Sequence, residues 1–407
     1  MTAKNQFKIA LYFFILISLF GLILRIMPLY SLPFNYSFLL HAHSHVAFLG
    51  WLHGGFISFI SYIFLNHKLN TTTFKWIYWF TILNVVGMTI SFPLQGYKFF
   101  SILFLSLFLI GTYLYTWYFF KHRQIGSFKS TYLFVKTGLL LQILSSLSPW
   151  SLGLIIKFFG KNSPYYKYDI FYYLHFQYNG WFLFSTIAIA FFMLEKRHIT
   201  IPVQQVKNTH RLMLIAVFLG FFSNILWNNP GIIYNFLAIV GATAEIIAFF
   251  VLLLIFNRYY RYLQNQLGNF NYLILKLVFF TFMIKITLQF IGSFQYYADL
   301  SYQIRDFIIG YLHLIMLGIF TPFLIIVASE LKFIFLSKKA FYTFYTGFLI
   351  TEILIFTKGI FYWFKIDNFS YLLMYLIFIF TFIMFIGILL ILLKSKHKNE
   401  SIQSISF

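Results

Sequence analysis

Twelve apolar stretches, each long enough to cross a bilayer, recur along this chain with only short polar gaps between them. They fall at approximately 8–27, 38–64, 74–95, 99–120, 131–150, 169–194, 211–228, 232–256, 272–294, 305–329, 340–363 and 370–393. A span needs roughly 20 apolar residues, so the pattern predicts an all-α polytopic membrane bundle of about 12 transmembrane helices. Composition agrees: 61% of the 407 residues are hydrophobic and only 10% are charged, where a soluble domain carries about a quarter charged residues. The first stretch runs straight into Arg25-Ile-Met-Pro28 without a small-residue cleavage site, which reads as a retained helix rather than a signal peptide. The whole of 1–407 is expected to form a single transmembrane domain.

Charge fixes the expected orientation. The net charge of +21 is spread through the gaps between apolar stretches, with no aromatic-interleaved basic patch of the kind that tracks a phosphate backbone. Nucleic acid is therefore not an expected partner; the bilayer is. With the N-terminus inside, the interior loops and tails hold about nineteen Lys and Arg, among them Lys121, Arg123, Lys196, Arg197, Lys338 and Lys339, against about six outside. That bias follows the positive-inside rule and predicts both termini on the cytoplasmic side of a bacterial inner membrane. No cysteine is present, which excludes disulfides, thiolate metal sites and covalent c-type haem attachment.

The chain also repeats itself. Helix 6 contains Tyr173-Leu-His175-Phe-Gln-Tyr-Asn-Gly180-Trp, helix 10 contains Tyr311-Leu-His313-Leu-Ile-Met-Leu-Gly318-Ile, and helix 2 contains His43-Ser-His45-Val-Ala-Phe-Leu-Gly50-Trp. The preceding helices match as well: Leu141-Gln142 in helix 5 resembles Leu288-Gln289 in helix 9, and Leu24-Arg25 takes the corresponding place in helix 1. Three pseudo-repeats of four helices are expected, at approximately 1–122, 123–262 and 263–407. Each repeat histidine would lie about 10 Å into its span at 1.5 Å per residue. Ionisable groups inside a membrane are costly and mark ligand, ion or proton sites; a hydrogen-bonded packing role is the alternative for any one of them alone. The glycine five residues further on is expected to admit a neighbouring helix.

Neutral imidazole is the commonest metal ligand and the axial ligand of b-type haem, which needs no cysteine. Helix 2 carries His41, His43, His45 and His53; His41 and His45 share a face, while His43 points away and is available to a second centre. His67, His122, His198, His210 and His397 lie among basic residues and read as solvated loop groups. Twelve helices with histidines in the outer halves of helices 2, 6 and 10 resemble the catalytic subunit of the haem-copper oxidase superfamily, and the His-x-His opening of helix 2 is similar to the NnrS-type membrane haem proteins. The resemblance implies a low-spin haem on His45 (or His43) and His313, with His175 as a copper ligand. A metal ion held by His45, His175 and His313 together is a second arrangement of the same residues. Two features depart from the family pattern: helix 7 ends in Asn224-Ile-Leu-Trp-Asn-Asn-Pro230 rather than in a histidine pair, and His313 stands alone in helix 10.

Polar residues elsewhere complete the expectation. Arg25 and Lys285 are candidates to pair with haem propionates through charge-assisted hydrogen bonds. Glu245 and Glu352 lie near mid-membrane as candidates for a proton path, with Lys285 or Lys358 as alternative structural partners for Glu352. Gln142, Gln177, Asn179 and Gln289 read as interhelical hydrogen-bonding groups. The sequence thus points to a b-type haem protein, with copper as a second metal, that passes electrons from quinol or a cytochrome or handles oxygen or nitric oxide. The alternative is a proton- or metal-ion-coupled transporter or channel that uses the same histidines and glutamates.

Overall fold

The computed structural model describes residues 1–366 and 368–404, with the backbone alone from 396 onward, so the side chain of His397 lies outside the described residues. Twelve helices are long and apolar enough to span a membrane: α1 (Ala3–Ile26), α2 (Tyr36–Phe64), α3 (Thr72–Gln95), α4 (Phe99–His122), α5 (Lys129–Phe159), α6 (Pro164–Glu195), α7 (Val203–Asn228), α8 (Ile232–Arg258), α9 (Tyr260–Ile291), α10 (Arg305–Glu330), α11 (Lys338–Trp363) and α12 (Ser370–Ser395). No strand occurs among the described residues. The protein is an all-α polytopic membrane bundle.

Local chemistry sets the helix ends. Side chains of Thr2, Asn35, Thr71 and Ser163 accept hydrogen bonds from backbone N–H groups of the first turns of α1, α2, α3 and α6, and Pro164 follows Ser163 at a position where its missing N–H costs nothing. The apolar pattern predicts that α5 stops near residue 150, yet helical backbone reaches Phe159 in two pieces, Lys129–Ser145 and Leu147–Phe159, joined by a turn at Ser146 and ended by Gly160 at φ 79°. α9 is broken at Gly268 (φ 72°), so its continuous part begins close to where the apolar stretch does. A short helix at Gln295–Gln303 was not foreseen; Gln295 anchors it by donating Nε2–H to the Leu226 carbonyl at 2.7 Å.

Contacts divide the chain into two compact units, one of residues 1–124 with 321–407 and one of residues 125–320. In the first, the core gathers around α2. Trp51 stacks on Phe14 of α1 (centroids 4.5 Å, 10° between planes), meets Phe7 edge-on, and donates its indole N–H to Thr321 Oγ1 at 2.9 Å. The backbones of α11 and α12 approach closely through reciprocal glycines: a Cβ at Gly347 would come within 2.5 Å of Met384 N, and one at Gly387 within 2.2 Å of Phe344 N. In the second unit, α6 packs on α5, with Phe134 against Phe184 and Phe191. There α7 and α8 touch at Gly241, whose added Cβ would lie 2.3 Å from Gly220 N.

Three spans are enclosed far more than the rest. Of the most apolar stretch of each, 78% is buried in α2, 89% in α6 and 78% in α10, against half or less in the other nine. The same three carry π-helical turns: Val46–Leu52 in α2, Phe176–Phe182 in α6 and Met316–Phe320 in α10. The π segments begin directly after His45 and His175 and three residues after His313. Each contains the repeat glycine. Gly50 admits Phe13 and Val85 (2.9 and 3.2 Å from an ideal Cβ), and Gly180 admits Leu141 at 3.1 Å. The close-packing role expected for these glycines holds, although wider π turns now set their angle to the histidine.

Replacing Gly387 by Leu forces the α11 and α12 backbones apart, and Gly241→Leu does the same to α7 and α8. Overpacking of this kind costs about 1–3 kcal/mol or more, and both variants should lose several degrees of thermal stability in detergent, while Gly153→Ala, in open space within a helix, should lose far less.

Candidate functional site

In the first unit the site is built on the N-terminal half of α2. His45 Nδ1 lies 2.8 Å from the His41 carbonyl oxygen, one helical turn back. A carbonyl only accepts, so Nδ1 carries the proton and Nε2 presents a lone pair. That nitrogen accepts from the Tyr97 hydroxyl at 3.1 Å. Phe92 stacks on the imidazole (4.4 Å, 28°) and Tyr97 closes its edge. His41 shares this face as expected: its ring also meets Tyr97, at 4.6 Å, and its Nε2 lies 3.3 Å from Ser37 Oγ. His43 turns to α1 and donates Nδ1–H to the Ile17 carbonyl at 2.9 Å. Gly21 makes that approach possible, because a Cβ there would sit 3.0 Å from His43 Cε1. The charge of Arg25 bears on His43 and also on Glu352 of α11. Glu352 is buried, and its Oε1 and the neighbouring Thr351 Oγ1 have no hydrogen-bond partner among the described residues. His53 is buried edge-on to Phe108.

The second unit holds a different arrangement around His175, which is 1% exposed. Its Nε2–H donates to the Val217 carbonyl of α7 at 2.8 Å, so Nδ1 is the acceptor. Two carboxamides converge on that nitrogen, Asn179 Nδ2 at 3.2 Å and Asn224 Nδ2 at 3.1 Å. Asn179 thus bonds within its own helix to support His175, whereas Gln177 makes the expected interhelical bond, donating to Ser145 Oγ at 2.9 Å. Nearby, Tyr311 donates its hydroxyl proton to Gln289 Oε1 at 3.0 Å, and Gln289 Nε2 lies against Gly220, which also faces His175. Gln289 Nε2 and Asn179 Oδ1 are buried without hydrogen-bond partners among the described residues.

Lys285, considered above as a partner for propionates, contacts Glu245 of α8 in a fully buried ion pair. Both groups considered separately in the sequence therefore neutralise each other, and Tyr178 and Tyr311 lie within reach of that pair's field. His313 is half-buried, on the turn that leads into the π segment of α10. Of the histidines read as loop groups, His210 is instead half-buried and bonds Thr137 Oγ1 through Nε2 at 2.8 Å. Among the described residues no three His, Cys, Asp or Glu side chains are grouped as a metal ion would require.

Tyr97 and Asn224 are the contributors that sequence reasoning missed. Tyr97 sits in the α3–α4 connection, one of many tyrosines in the chain, with no pattern to single it out. Asn224 left a trace: it occupies the end of helix 7, where the resembled family carries histidines, and its amide reaches the one helix 6 histidine.

No protein-family model matches this chain, and no curated protein is found to be similar to it.

The α8–α9 ion pair yields a direct test. Breaking a buried pair leaves one charge uncompensated, at a cost of about 3–5 kcal/mol, whereas replacing both members by apolar residues is often neutral. Lys285→Met alone should unfold far more readily in a thermal melt, and the double variant Lys285→Met/Glu245→Leu should recover most of that loss. A double variant as unstable as the single one would show that the pair has obligate partners beyond itself.

Proposed function

We propose that this chain is a membrane-embedded redox protein that binds b-type haem, whose iron a histidine of α2 would hold. The observation that carries this reading is the state of His45 and His43. Each has its Nδ1–H committed to a backbone carbonyl, which fixes the tautomer and turns Nε2 outward as an unprotonated donor. Metal-ligating histidines almost always donate their other ring N–H in this way. A haem supplies reversible one-electron chemistry and an iron that binds small gases such as oxygen and nitric oxide.

The chain's own residues account for how such a group would be held. Phe92 fixes the plane of the His45 ring, and Tyr97 is the hydroxyl that has to release Nε2 for a ligand bond. Arg25, near enough for its charge to bear on His43, suits a propionate partner. The recurrence of a π segment after each repeat histidine supports the three-repeat reading, since π turns inside α-helices frequently occur at functional sites. A copper ion at His175 has less support, because the only ring nitrogen left to a metal is already taken by two amides.

A second reading, proton- or ion-coupled transport, is favoured by the Lys285–Glu245 pair and by Glu352, since charges inside a membrane mark ion or proton routes. One preparation separates the two. Purified from cells with adequate haem supply, the protein should show reduced b-type bands and contain iron, and His45→Ala or His313→Ala should weaken those bands severalfold at unchanged expression. A colourless, metal-free protein that moves protons in liposomes, with Glu352→Gln inactive, would replace the redox reading by transport.

A further inference from the structure

Away from the histidines, the faces of α1 and α3 border an open cavity of about 420 Å³ lined by Met1, by Asn5, Lys8 and Ile9 of α1 and by Lys75 and Trp79 of α3, with the Met1 ammonium bonded to Asn70 Oδ1. The lining contains no acidic residue. Lys8 and Lys75 lie within the first two turns of spanning helices, ~8 and ~5 Å from the helix starts at 1.5 Å per residue. That depth is the level of lipid head groups, and Trp79 with its half-exposed indole and the exposed Trp76 are the aromatic residues usual at a membrane interface.

We propose that this cavity binds an anionic phospholipid, with the phosphate between Lys8 and Lys75 and an acyl chain along Ile9 and Trp79. Two ammonium groups facing one space without a carboxylate repel each other, and a phosphodiester relieves that repulsion. Basic pockets between spanning helices take anionic head groups on this principle. A zwitterionic lipid carries its own cation beside the phosphate and gains less. The apolar wall of Ile9 and Trp79 has no use for a free phosphate ion, so the occupant is the lipid. This site is independent of the haem reading, because none of its residues belongs to the α2 cluster.

The test uses the full-length purified protein with equal amounts of phosphatidylglycerol and phosphatidylcholine, retained lipid being counted by native mass spectrometry. Wild type should keep phosphatidylglycerol preferentially. Lys8→Ala/Lys75→Ala should lower that preference about 25-fold, given roughly fivefold for each lysine near the surface. Lys8→Arg/Lys75→Arg should keep it, and Lys8→Gln/Lys75→Gln serves if the alanine variant does not fold. Equal retention of both lipids by wild type, or undiminished preference in the neutral variants, overturns the proposal. So does displacement of the lipid by excess inorganic phosphate, which would show that the cavity reads the ion alone.

Discussion

A polar group placed in the interior of a membrane protein has no bulk water to turn to, so its hydrogen bonds must be met by the protein or it costs several kcal/mol. The buried chemistry of this bundle is arranged around that requirement. His45, His43 and His175 each give one N–H to a carbonyl oxygen, Lys285 and Glu245 meet each other, and the Glu195 carboxylate accepts from the backbone N–H groups of Ser130 and Thr131 at the start of α5. What distinguishes the candidate sites is what is left over. The second nitrogen of His45 meets only the Tyr97 hydroxyl, that of His175 is held by the Asn179 and Asn224 amides, and Glu352, Asn179 and Gln289 each retain a buried atom without a hydrogen-bond partner among the described residues.

The π turns link this chemistry to the packing. A π segment loses the 3.6-residue register of the helix around it, so it survives only where neighbouring side chains hold it. Here the segments lie in the three most enclosed spans, and the glycines at Gly50 and Gly180 let Phe13 and Leu141 press against them. A histidine at the start of such a segment is positioned by backbone on one side and by close side-chain packing on the other. That is the rigidity a ligand site needs, and it is achieved here without a single cysteine.

Much of this was legible in the sequence, for reasons that differ from residue to residue. The spans were plain because hydrocarbon demands long apolar runs, and the glycines of α2 and α6 were read correctly because a missing side chain next to a recurring histidine has few uses. Helix ends were less so: α5 turns at Ser146 and a second helical piece, Leu147–Phe159, carries it past its apolar stretch to Gly160. The π segments left no mark in the hydrophobic period. Partners across helices were beyond reach, because which carbonyl a histidine meets depends on packing and not on spacing. Thus the pairing of Lys285 with Glu245, one helix away, could not be read from spacing, and neither Tyr97 nor Asn224 could be linked to its histidine before the helices were brought together.

The central claim is that a neutral α2 imidazole offers Nε2 to an iron. Electron paramagnetic resonance of the oxidised, haem-replete protein addresses it at the ligand itself. The account predicts a low-spin ferric signal of imidazole ligation that changes to high spin when His45, or His43, is replaced by Ala. A low-spin signal untouched by both substitutions, or no ferric haem signal at all from a folded and haem-supplied protein, would contradict it.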